Sequence, residues 1–88
     1  MPVSSSDLSV EQKKDYKVTG GALVEAVQGP AAGVIQTGDV ILRINNADVS
    51  SAKQFNELVS KLDLKHPVAL LVKNEEGNRF VTFRPEAE

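Results

Sequence analysis

The chain has 88 residues, room for one hydrophobic core and not two, because a chain of this size buries only about 60–65% of the surface its unfolded form exposes. Apolar residues at 41% and charged residues at 25% are globular proportions, which exclude a fully disordered or fibrous chain. Ten Lys and Arg against twelve Asp and Glu leave a net charge of −2 with the signs interspersed, so nucleic acid is not an expected partner.

Met1 to Ser6 are small and polar apart from Val3, the pattern of a frayed start or a weak edge strand. Ser9 followed by Gln12 fits a capping box and predicts a short helix over Val10 to Tyr16. Gly20-Gly21 breaks the chain, and the apolar, partly β-branched run Ala22 to Val27 predicts the first firm strand. Gly29-Pro30 ends it. Ala31 to Val34 has room only for a helical turn or two before Thr37-Gly38-Asp39 turns the chain into a second apolar strand, Val40 to Ile44.

Asn45-Asn46 suits a tight turn because both side chains tolerate left-handed backbone angles. Ser50 or Ser51 then caps one longer helix, whose Phe55, Leu58, Val59 and Leu62 recur at i, i+3, i+4 and i+7 while Lys53, Gln54, Glu57 and Lys61 face water. Such a stripe has to lie on a sheet. Pro67 bars helix continuation, Val68 to Val72 reads as a central strand, Lys73 to Asn78 as a polar loop, and Arg79 to Phe83 as the strand that closes a hairpin. The elements sum to an α+β domain: a partly opened antiparallel β-barrel or sandwich of about five strands, capped by one long and one short helix. A ferredoxin-like sandwich needs a second long crossover helix, and the segment from Ala31 to Gln36 is too short to supply it.

The residues of catalysis are missing. The sole imidazole, His66, precedes Pro67 in a predicted loop, no Gly-x-Ser-x-Gly elbow occurs, and Ser9, Ser50 and Ser51 sit where hydroxyls cap helices. Thiolate ligands are excluded by the absence of Cys, Glu75-Glu76 lacks calcium-loop spacing, and the glycines form no phosphate-cradling motif; no catalytic residue, metal or cofactor is expected. Lys13, Lys14 and Lys17, interleaved with Glu11 and Asp15, read as a solvated face. No apolar run approaches the roughly 18–20 residues of a membrane span, and no secretory signal pattern begins the sequence.

Gly29-Pro30-Ala31-Ala32, Ile35-Gln36-Thr37-Gly38-Asp39-Val40-Ile41, Ile44-Asn45 and Val49-Ser50-Ser51 followed by Phe55 together resemble a PDZ domain of the bacterial type. The similarity is greatest to the PDZ domains of the HtrA (Do-like) periplasmic serine proteases, especially the second, C-terminal one, and runs from about Val3 to Pro85. It departs from the pattern at Pro30-Ala31-Ala32-Gly33-Val34-Ile35, which is one residue shorter than usual, implying a local loop change over an intact core.

The resemblance implies one PDZ domain over residues 1–85 and a tail over 86–88. The carboxylate-binding loop falls at or upstream of residues 1–4, where Pro2-Val3 stands in place of the usual Gly beside large apolar residues. It implies a periplasmic location, a parent serine endopeptidase whose catalytic domain is not in this stretch, and capture of C-terminal or unfolded apolar segments by strand addition. Val3, Ser4, Ser5 and Ser6 would supply the edge strand, and Ser51, Phe55 and Val59 the facing helix wall. The alternative is an oligomerisation module that holds protease subunits together through other PDZ or protease domains and binds little peptide.

Overall fold

The computed structural model describes residues 3–28, 32–62, 65–74 and 76–83, with the side chain of Phe83 excepted. These residues form β1 (Val3–Asp7), α1 (Val10–Tyr16), β2 (Ala22–Val27), β3 (Val40–Ile44), β4 (Ala47–Asp48), α2 (Ala52–Ser60), β5 (Val68–Asn74) and β6 (Gly77–Phe83). All pairings are antiparallel, in one open sheet of order β1-β2-β3-β5-β6 with β4 added beside β3. The fold is PDZ-like α+β, with six strands rather than about five. The Cα radius of gyration of 11.9 Å agrees with the ~12 Å expected for a compact chain of this length.

Local chemistry sets the helix ends. Ser9 Oγ accepts the Gln12 N–H at 3.1 Å while Gln12 Oε1 accepts the Ser9 N–H at 2.9 Å, the reciprocal box anticipated above. Lys17 closes α1 in the left-handed region at φ 59°, and the Val18 N–H reaches back to the Lys13 carbonyl at 2.9 Å. In α2, Ser51 is the N-cap, its Oγ accepting from the Gln54 N–H at 3.1 Å. The Gln54 side chain folds back onto the Ser50 N–H at 2.9 Å, so both serines serve the helix entry.

The core lies between the sheet and α2. Ala22, Val24, Ile35, Ile41, Ile44, Val49, Phe55, Val68, Leu70 and Val72 form one buried cluster, with Leu58, Val59 and Leu62 half-buried against it. Leu8, Leu23 and Val40 form a smaller cluster against which Tyr16 and Val18 of the α1 end pack. Gly21 adopts φ +120°, and a Cβ there would stand 2.7 Å from Val40 Cγ1, so only glycine fits between β2 and β3.

Two local readings are corrected, and Asp39 of the expected turn proves to be buried as well. The two-residue β4 had no reading as a strand, because Ala47-Asp48 is too short to show alternation. The loop placed at Lys73 to Asn78 is shorter: β5 runs on to Asn74 and β6 resumes at Gly77, paired without a register break, with Gly77 at φ +129°. Asp39, read as a turn residue, is 5% exposed. Its carboxylate accepts from the Gln36 N–H at 3.0 Å and from Arg79 Nη2 at 3.3 Å, and the same Nη2 donates to the Val34 carbonyl at 3.0 Å, pinning the loop to β6. The Gly29 to Ala31 turn lies outside the described residues, and Ala32-Gly33 form a single 3₁₀ turn.

Candidate functional site

The strand order leaves β1 at one edge of the sheet, so one side of its backbone has no strand partner among the described residues. On its other side β1 pairs with β2, and the register shifts between Ser4, opposite Ala26, and Ser5, opposite Val24. The extra residue of this bulge is Glu25, on β2, so β1 keeps its alternation. Helix α2 packs against β1 and β2, which sets it beside the open edge.

Alternation sorts the strand residues. Val3 packs against the main core cluster, and Asp7 reaches α2, its Oδ1 accepting the Ala52 N–H at 2.8 Å. Ser5 lies between them on the same face, and its Oγ is buried without a hydrogen-bond partner. Ser4 is exposed on the opposite face, where the Ser6 hydroxyl donates to Glu25 Oε1 at 2.6 Å. Ser4 and Ser6 therefore share the outer face of the strand, while Val3, Ser5 and Asp7 turn side chains toward the core and α2.

On α2, Ser51, Phe55 and Val59 follow one another at single turns. Ser51 is half-buried and occupied as the N-cap; Phe55 is 1% exposed, inside the core; Val59 is half-buried against the same cluster that Val3 touches. The structure thus brings Val3, Ser5, Phe55 and Val59 to one side of the edge strand, with Phe55 beneath the surface rather than on it. Asp7 escaped the sequence reading, since its partner is 45 residues away and nothing local marks it.

Two further concavities lie elsewhere. A cleft of about 480 Å³ is lined by Val18, Leu42, Val49 and Leu71 with Lys17 and Arg43 at its sides, and Arg43 Nε pairs with Asp48 Oδ1 at 3.1 Å. A polar cleft of about 440 Å³ holds Tyr16, whose hydroxyl donates to the Gly38 carbonyl at 2.5 Å, together with the Asp39–Arg79 pair. His66 is exposed in the segment before β5. Among the described residues no group of three or more His, Cys, Asp or Glu is placed to hold a metal, and no helix is long and apolar enough to cross a membrane.

Comparison with known proteins finds strong similarity to proteins named "Probable periplasmic serine endoprotease DegP-like". Over 84 residues, 93% of this chain, it is 42% identical to the one from Pseudomonas putida (strain W619) and 37% identical to that from Pseudomonas savastanoi pv. phaseolicola (strain 1448A / Race 6), covering 18% of each. The one from Hahella chejuensis (strain KCTC 2396) is 39% identical over 80 residues, 89% of this chain and 17% of that protein. The chain is a PDZ-like relative of one segment of these HtrA-type proteases. It spans less than a fifth of the length of the curated relatives it matches. No family model matches it.

Proposed function

We propose that this PDZ-like chain, residues 1–85 with a short tail after them, is the peptide-binding module of an HtrA-type serine endopeptidase acting in the periplasm. The relatives' names supply the protease and the compartment. The module itself carries no catalysis and recruits or regulates: it takes C-terminal or unfolded apolar segments as an added strand on β1, beside α2, with no cofactor. The observation that carries this reading is the open β1 edge running along α2 with the apolar side chains of Val3 and Val59 on either side.

The energetics suit transient capture. About four main-chain hydrogen bonds at ~1 kcal/mol each and two apolar side chains at ~2 kcal/mol each total about 8 kcal/mol before the costs of ordering are met. Net affinity then falls between the millimolar and micromolar ranges. Titration with a short peptide ending in apolar residues, followed by backbone amide shifts, is expected to perturb Val3 to Ser6 and Ser51 to Val59. Perturbations confined to other residues would remove the groove assignment.

One observation favours a second reading, an oligomerisation module of the parent protease. β6 is the other edge of the sheet, and Phe80 on it is 75% exposed beside half-buried Leu71. Sizing the chain alone and with a neighbouring PDZ or protease domain, with Phe80→Ser as control, tests it: association without peptide that Phe80→Ser abolishes supports a scaffold, and a monomer throughout rejects it.

A further inference from the structure

We propose that Asp7 sets the length of peptide the β1–α2 groove accepts, an inference that rests on the reading of that groove as a peptide site. Asp7 is the last residue of the edge strand, and its Oδ1 accepts the N–H of Ala52, the first residue of α2, at 2.8 Å. The bond joins the two walls of the groove directly. Its donor belongs to the first turn of a helix, where amides have no intrahelical partner, and its acceptor is a carboxylate, so the contact is charge-assisted. At the opposite end of β1, Val3 and Val59 both pack on the core through apolar contact, and the buried Ser5 hydroxyl has no hydrogen-bond partner.

An added strand advances about 3.4 Å per residue. From Val3 to Ser6 the edge is three steps long, roughly 10 Å, enough for about four paired peptide residues. With its carboxylate toward Val3, as the PDZ-like mode requires, the peptide runs antiparallel to β1 and its fifth residue from the C-terminus meets the Asp7–Ala52 bond. That residue either breaks the bond or leaves the groove. Asp7 is thus a specificity-determining residue for peptide length, holding recognition to the last few residues.

The test compares an N-acetylated tetrapeptide of alanine and valine with a free valine C-terminus and an octapeptide sharing those last four residues, on wild-type protein, Asp7→Ala and Asp7→Asn. In the wild type the octapeptide is expected to bind within about twofold of the tetrapeptide, whereas in Asp7→Ala it should gain up to about tenfold, the worth of one hydrogen bond. The tetrapeptide should bind both alike. Asp7→Asn keeps an oxygen that can accept the Ala52 N–H and should behave as wild type, separating the contact from its charge. Amide shifts are recorded in each titration. If they fall on the groove and the octapeptide gains equally in wild type and Asp7→Ala, or Asp7→Ala weakens both peptides together, the length inference is overturned while the groove reading stands. If neither peptide shifts the groove residues in the wild type, both fall.

Discussion

Replacing Phe55 tests whether this residue is first a core residue or first a groove wall. Its ring is 1% exposed and is the largest fully buried side chain described, packed in the cluster that joins α2 to the sheet. Truncation to Ala is expected to cost about 3–5 kcal/mol, the transfer term plus the cavity left behind. The whole domain, at 88 residues, holds roughly 4–13 kcal/mol at 0.05–0.15 kcal/mol per residue, so Phe55→Ala removes a large part of it. Phe55→Leu, which keeps most of the volume, should cost only ~1–1.5 kcal/mol. Urea unfolding followed by far-ultraviolet circular dichroism reads this: with m near 1 kcal/mol/M, the Ala variant's midpoint falls by about 3–5 M or the folded baseline disappears. Phe55→Leu stays folded and should bind the apolar peptide within about threefold of wild type, because the ring lies beneath the groove surface. A loss under about 1.5 kcal/mol on truncation, together with binding more than tenfold weaker in the Leu variant, would refute the reasoning and place Phe55 on the groove wall.

Gly21→Ala should destabilise by about 2–5 kcal/mol, combining a disfavoured positive φ with the clash against Val40, and thermal unfolding will show it; a change under 1 kcal/mol would mean β2 shifts freely from β3. Ser5→Ala should be neutral or stabilising by about 1 kcal/mol, since an unpartnered buried hydroxyl is costly, and a drop in stability would show that Ser5 Oγ is bonded in solution. A double-mutant cycle with Asp39→Asn and Arg79→Met should give a coupling of about 1 kcal/mol in urea unfolding, held down by the half-exposed Arg79 side chain; no coupling would leave the loop anchored by the Val34 carbonyl contact alone.

α1, β2 and β3 were legible to the residue, for local reasons: a capping box states where a helix begins, Gly20-Gly21 and Thr37-Gly38 state where strands begin, and Asn45 states where one ends. Asn45 indeed takes φ +53°, and its side chain also accepts the Ala69 N–H at 3.1 Å, a long-range bond no local signal announces. The β5–β6 turn was misplaced because Lys73, Asn74 and Asn78 are polar whether they lie in a loop or on the outer face of a hairpin; pairing decides, and pairing is non-local.

The same division runs through the candidate site. Periodicity along α2 identifies Phe55, Leu58, Val59 and Leu62 as one stripe, and composition with the order of elements identifies a small α+β domain, whose turn and strand motifs resemble a PDZ domain. Those properties belong to neighbours in the chain. Which member of the stripe is sealed and which lies near the edge, that the bulge falls on Glu25 so that Ser5 turns inward and Ser6 outward, and that Asp7 ties strand to helix all depend on contacts between distant segments. Sequence therefore determines the elements and their kind. Tertiary packing alone decides the surface they present, because burial and long-range hydrogen bonds arise only when the sheet and α2 close on one core.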